Sequence, residues 1–93
     1  MAKYAYHQLD ANAKAIRQAL EAAGFSVYPS GRPLDYIIAK GRYTALLEVK
    51  TAKGKLRPSQ EKFIDQWPGD VWLVRTVEDV MKLARLNSCD DER

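Results

Sequence analysis

The stretch RPLDYIIAKGRYTALLEVK, residues 32–50, decides how this chain is read. Two apolar runs, Leu34–Ala39 and Tyr43–Val49, flank the dipeptide Gly41-Arg42. Glycine at the first of two turn positions suits a type II′ connection, so the stretch predicts a β-hairpin. If Lys40 faces Tyr43, opposed residue numbers sum to 83 and Asp35 falls directly across from Glu48. Side chains alternate along a strand, which puts Lys50 on the same side as Glu48. Opposed residues hold their Cβ atoms about 5 Å apart. Two carboxylates and an ammonium are thus expected together on one face of an otherwise apolar strand pair.

Like charges set directly opposite each other destabilise a sheet, and each carboxylate raises the pKa of the other. Stability alone gives little reason to place Glu48, between Leu47 and Val49, opposite Asp35. A divalent cation resolves the conflict. Mg²⁺ takes one or two carboxylates, keeps several waters and accepts phosphate oxygens at its remaining positions. The pair therefore points to metal-assisted phosphodiester chemistry. The competing reading is a surface ion-pair cluster in which Lys50 neutralises Glu48 along an exposed edge.

Ninety-three residues make one small domain, near the size at which a single core suffices. We place its core at about residues 9–86 and an acidic tail at 87–93. The single cysteine, Cys89, cannot form an intramolecular disulfide, and with one histidine, His7, and no CxxC it excludes a structural zinc site of the usual kind. No apolar run approaches the ~18 residues of a membrane span, and no signal-peptide apolar region opens the chain. No membrane association is expected, and a reducing, cytoplasm-like compartment is the default. The net charge of +3 is unevenly spread. Residues 40–57 carry six basic residues against Glu48 alone, a net of +5, whereas the tail carries a net of −2. A basic concentration beside an acid pair suits a polyanionic partner. A solvated, lysine-rich loop is the alternative.

Working outward from the hairpin, apolar residues at 9, 13, 16, 20 and 23 form a 4-3-4-3 stripe that predicts an amphipathic first helix. Residues 1–8 either begin that helix or lie outside it, and Gly24 ends it. Phe25–Pro29 reads as a first strand, with Phe25 and Val27 on one face. Ser30–Pro33 reads as a turn. After the hairpin, Thr51–Arg57 is a basic loop containing glycine. Pro58 suits the first turn of a second helix, Ser59–Trp67. Gln60 lies on that helix's apolar stripe with Phe63, Ile64 and Trp67, so it either faces the sheet with partners near the end of the third strand or sits exposed at the helix start. Val71–Arg75 predicts a fourth strand, parallel to the third by the right-handed crossover rule. Thr76 with Asp79 resembles a capping box opening a third helix, with Val77, Val80, Met81 and Ala84 inward. The expected fold is α/β: a small mixed four-stranded sheet flanked by helices on both faces, in the order α-β-β-β-α-β-α.

Asp35, then Glu48-Val49-Lys50 on the partner strand of an α-β-β-β-α-β core, resembles the PD-(D/E)XK nuclease superfamily, the restriction-endonuclease-like core. The Gly24 turn, EVKT at 48–51, Gln60 leading the next helix and the V-x-L-V fourth strand are similar to its virus-type replication-repair nuclease (VRR-NUC) family, over about Leu9 to Ala84. The resemblance implies a Mg²⁺- or Mn²⁺-dependent DNA endonuclease. Asp35, Glu48 and the backbone carbonyl of Val49 would hold metal, Lys50 would orient or deprotonate the attacking water, and Gln60 would position the set. Small stand-alone members resemble virus or phage proteins that dimerise and cut branched DNA in the manner of Holliday-junction resolvases, which implies a homodimer and a bacterial host cytoplasm. Two departures stand out. The Pro-Asp pair is interrupted, as Pro33-Leu34-Asp35, and the first-helix acid of many relatives falls near Gln8, beside His7 and Asp10.

Three function classes follow. In the leading one, a nuclease, Lys53, Lys55, Arg57 and Arg32 hold DNA while the acid pair and Lys50 carry the chemistry. The alternative is a non-catalytic DNA-binding module using the basic loop 51–57. The two acids argue against it, since binding alone is better served without carboxylates beside phosphate. The third is an interaction domain in which Trp67 and Trp72 form a partner surface; both tryptophans are otherwise core or dimer contacts.

Overall fold

The computed structural model describes residues 2–88, with side chains described for residues 12–86. Its elements are α1 (Ala2–Ala22), β1 (Ser26–Pro29), β2 (Tyr36–Lys40), β3 (Tyr43–Val49), α2 (Pro58–Gln66), β4 (Val71–Val74) and α3 (Val77–Ser88). The expected order is observed, and α1 takes in residues 2–8. The helix α3 runs through the first two positions assigned to the acidic tail. The rest of that tail, and the side chains of His7, Gln8 and Asp10, lie outside the described residues.

The four strands form one sheet in the order β1-β2-β3-β4. The hairpin closes as its turn chemistry predicts. Gly41 has φ +61° while Arg42 stays at negative φ, the type II′ signature, and Lys40 pairs with Tyr43 through to Tyr36 with Leu47. β1 joins β2 antiparallel, and β4 joins β3 parallel, with Glu48 beside Leu73 and Val49 beside Val74. This register gives the sheet two unlike faces. Ile38, Ala45, Leu47, Val49 and Val74 are buried in the core with Ile16 and Leu20 of α1 and Val80 and Leu83 of α3. Asp35, Ile37, Leu46, Glu48 and Leu73 share the opposite face.

Gly24, at φ +99°, closes α1 with Phe25 N–H on Leu20 C=O and Gly24 N–H on Glu21 C=O, the Schellman pattern in which left-handed glycine satisfies the last carbonyls. The chain then turns so that Phe25 drops into the core. At the other end, Thr76 and Asp79 form the expected capping box: Asp79 N–H donates to Thr76 Oγ1, and Thr76 N–H to Asp79 Oδ2, each at 3.2 Å.

Two expectations are corrected. The inward face of α3 is Val80 and Leu83, with Ala84 partly buried beside them, whereas Val77 and Met81 are 43% and 56% exposed. In a 12-residue helix the 77-80-81-84 stripe and the 80-83-84 stripe overlap, and packing against α1 selects the second. The sheet is also not covered equally on both sides. The half-buried Phe63 and Ile64 of α2 do not join the core cluster, and Tyr28 and Leu73 on the second face are exposed. Nine residues of helix span about 13 Å, too little to cross four strands. The helix α2 instead meets the sheet at the end of β3, through Gln60.

Candidate active site

Antiparallel pairing stops at Tyr36–Leu47, and the next residues are the two acids. In a continuing ladder, Val49 N–H would donate to Leu34 C=O. That carbonyl accepts Ser30 Oγ instead, at 2.8 Å. The side chain of Asp35 replaces it: Val49 N–H donates to Asp35 Oδ2 at 2.9 Å, and Asp35 N–H donates to Glu48 Oε1 at 3.1 Å. The two acids are thus stitched into the place where the ladder ends. The Val49 carbonyl leaves β3 on the same side as its N–H, toward Asp35.

Glu48 is 3% exposed, an unusual position for a carboxylate without partners. Its partners converge from two elements. Lys50 Nζ lies 3.1 Å from Oε2, and Gln60 Nε2 donates to the same oxygen at 3.0 Å. Gln60 is itself buried, and its Oε1 accepts Arg57 N–H at 3.0 Å, one half of a capping box for α2. One amide therefore ties the start of α2 to Glu48, and of the two readings open in the sequence, Gln60 takes the inward one. No described polar side-chain atom is left buried without a partner. The arrangement is a built, fully bonded cluster and not an exposed ion pair.

The electrostatics remain unfavourable for Asp35. Burial raises its pKa above the ordinary carboxylate value, the Val49 N–H offsets part of that, and the charge of Glu48 raises it further while Lys50 lowers it. Asp35, Glu48 and Gln60 line a cleft of about 650 Å³, with Arg32, Arg57 and Ser59 around it. Lys53 and Lys55 are exposed on the loop leading to the cleft and are not part of its lining.

The sequence-derived residues Asp35, Glu48, Val49, Lys50 and Gln60 are brought together, and of these Asp35, Glu48 and Gln60 line the cleft with Arg32 and Arg57, whereas Val49 and Lys50 do not. Among the described residues, no cluster of three or more His, Cys, Asp or Glu is placed to hold a metal. The donor set is two carboxylates and a main-chain carbonyl, which fits a hard cation that keeps several of its waters and does not fit a site made of protein ligands alone. Asn12 of α1 was not anticipated: its Nδ2 contacts the Lys50 carbonyl at 3.4 Å. Arg75 was not anticipated either, although the parallel register of β3 and β4 sets it beside Lys50. Comparison with known protein families, curated proteins and solved structures gives no match. No described helix is long and apolar enough to cross a membrane.

Proposed function

We propose that this chain is a Mg²⁺- or Mn²⁺-dependent DNA endonuclease of the VRR-NUC type, built on a PD-(D/E)XK core and acting in a cytoplasm. The observation that carries the reading is a cleft lined by Asp35, Glu48, Gln60, Arg32 and Arg57, with Lys50 paired to Glu48 from behind that lining. Asp35, Glu48 and the Val49 carbonyl would hold the cation, which when bound would supply Lewis-acid stabilisation of charge on a phosphodiester.

The protein's own groups then divide the work. Gln60 holds Glu48 through Oε2 and so fixes the orientation of the carboxylate. Lys50, a compact ammonium mostly removed from solvent, orients the attacking water and counters negative charge building on the phosphate. Arg32 and Arg57 hold the phosphates that flank the scissile bond, and Lys53 and Lys55 extend that contact along the strand. Branched DNA such as a four-way junction is the proposed substrate, with a two-fold homodimer to give paired incisions. Trp67, stacked on Phe63 and 41% exposed, is available to such a partner. Trp72 is committed to the fold by a 2.7 Å bond from Nε1 to the Tyr43 hydroxyl.

The test is cleavage of supercoiled plasmid and of synthetic linear, flap and four-way substrates with Mg²⁺, Mn²⁺ or EDTA, with mass measured by sedimentation. Metal-dependent cutting that disappears in Glu48→Gln supports the proposal. Salt-sensitive DNA binding without cutting under any metal favours the binding module instead.

A further inference from the structure

Arg75, the residue after β4, is half-buried and turns its guanidinium back onto the protein's own main chain. Its Nη1 lies 2.6 Å from the Thr51 carbonyl, 2.7 Å from the Gly54 carbonyl and 3.4 Å from the Ala52 carbonyl. These are three of the first four residues after Lys50, and the loop they belong to carries Lys53, Lys55 and Arg57. A side chain reaching back to one loop at three places is not explained by strand β4 itself, whose ladder is already closed by Lys50 N–H on Val74 C=O.

We infer that Arg75 is a positioning residue that pre-orders the loop 51–57 for a nucleic-acid backbone. The inference rests on the proposed role of this loop as a phosphate contact. A loop of this kind, basic and containing glycine, loses much conformational freedom when it seats on a polyanion. Arg75 removes part of that loss in advance. It gathers the loop's carbonyl oxygens, the negative ends of the peptide dipoles, onto one guanidinium on the protein side, and the side chains of Lys53 and Lys55 are left exposed to solvent. The turn is tight: Gly54 N–H donates to Thr51 C=O at 3.1 Å, and a Cβ on Gly54 would sit 3.1 Å from Thr51 Oγ1. One nitrogen, Nη1, makes all three contacts, and arginine suits the task because its planar guanidinium fixes the direction of that nitrogen and carries it one atom beyond the reach of a lysine ammonium.

The experiment compares Arg75→Met, Arg75→Lys, Lys53→Ala and Lys55→Ala in the full chain. Affinity for a fluorescent synthetic four-way DNA junction is measured across a salt series with Ca²⁺ as the divalent ion, and amide hydrogen exchange of residues 51–57 is measured without DNA. Pre-ordering predicts that Arg75→Met weakens binding about tenfold, that Arg75→Lys is nearly as weak, and that loop amides exchange faster in both. It also predicts an unchanged slope of log affinity against log salt, since the same phosphate contacts still form. Lys53→Ala, which deletes a contact, lowers that slope by about 0.9. A slope reduced by Arg75→Met, or affinity fully restored by Arg75→Lys, makes Arg75 a phosphate contact and overturns the inference. Unchanged exchange of the loop in Arg75→Met overturns it without any reference to DNA. Normal affinity in Lys53→Ala and Lys55→Ala together with faster loop exchange in Arg75→Met removes the loop from DNA binding while leaving Arg75 as its anchor, so the two claims fail separately.

Discussion

Two aspartates accept main-chain N–H groups at the beginnings of two elements, and they respond in opposite ways. Asp79, in the first turn of α3, takes Arg75 N–H at 2.8 Å and Thr76 N–H at 3.2 Å. Those bonds, the Arg75 one foremost, pull its pKa below the ordinary value. Asp35, just before β2, takes Val49 N–H at 2.9 Å, yet burial and the neighbouring Glu48 leave its pKa raised. The same kind of donor is present in both places. What differs is how strongly burial bears on the carboxylate, and the presence of a second carboxylate. An acid that serves the fold stands at a helix start, within reach of Lys82; an acid half-buried against another acid works against the fold. The Asp35–Glu48 pair therefore calls for a reason outside folding, and the proposed cation with its phosphate ligand would supply one.

The largest effect that sharpens this contrast is on chemistry. Glu48→Gln keeps the shape and the acceptor for Gln60 but removes the charge, and cleavage of a four-way junction is expected to fall about a thousandfold. Asp79→Asn leaves cleavage within about twofold, because the capping box lies away from the reacting phosphate. Equal losses in the two variants break the comparison. Next in size is metal linkage. At about a hundred times its dissociation constant, Mg²⁺ adds roughly 2.7 kcal/mol to the folded state, a rise in Tm of roughly 10–20 °C for a domain of this size. Asp35→Asn removes that rise and Asp79→Asn preserves it. A wild-type melting curve that ignores both Mg²⁺ and Mn²⁺ ends the metal assignment.

Most of the site could be read from the chain because it depends on one turn. Once Gly41 fixes the hairpin as a two-residue connection, counting back to Asp35 and Glu48 requires only strand geometry. Gln60 was legible for a related reason: a polar residue on a helix's apolar stripe must find a partner or stay wet. The misreadings concern choices that local pattern leaves open. Val77 and Met81 share a stripe with Val80 and Ala84, and the placement of α3 across α1 sends Leu83 inward in their place. Arg75 joins loop carbonyls, and carbonyls carry no side-chain signature; only the parallel register, known once β3 and β4 are paired, brings it near residue 50.

The third contrast is smaller and concerns the protein without metal. Asp79→Ala strips the acceptor from two main-chain N–H groups at a helix start and is expected to cost about 1 kcal/mol, a fall in Tm of roughly 4–8 °C. Asp35→Asn relieves repulsion with Glu48 and retains an oxygen for the Val49 N–H, so in EDTA its stability should equal or exceed that of the wild type. Sites that keep activity at a cost in stability commonly behave this way. A loss as large as that of Asp79→Ala would mean that Asp35 is a structural residue after all.

The smallest effect separates the two acids most cleanly, because it is a difference of sign. Asp79 has a lowered pKa in the folded state, so its contribution is present above the ordinary carboxylate value of 3.8 and is lost as pH falls through the folded value. Asp35 has a raised pKa, so the folded state is favoured below 3.8 and that advantage disappears as pH rises through the raised value. Urea unfolding in EDTA across the acid range should therefore give two opposed curves. Relative to Asp79→Asn the wild type gains stability with rising pH, and relative to Asp35→Asn it loses stability. Saturating Mg²⁺ should invert only the second curve, since a cation competes with the proton for the Asp35 carboxylate and rewards its ionisation. Two curves of the same sign in EDTA would mean that Glu48 and burial do not control Asp35, and an uninverted curve in Mg²⁺ would mean that no cation enters between them.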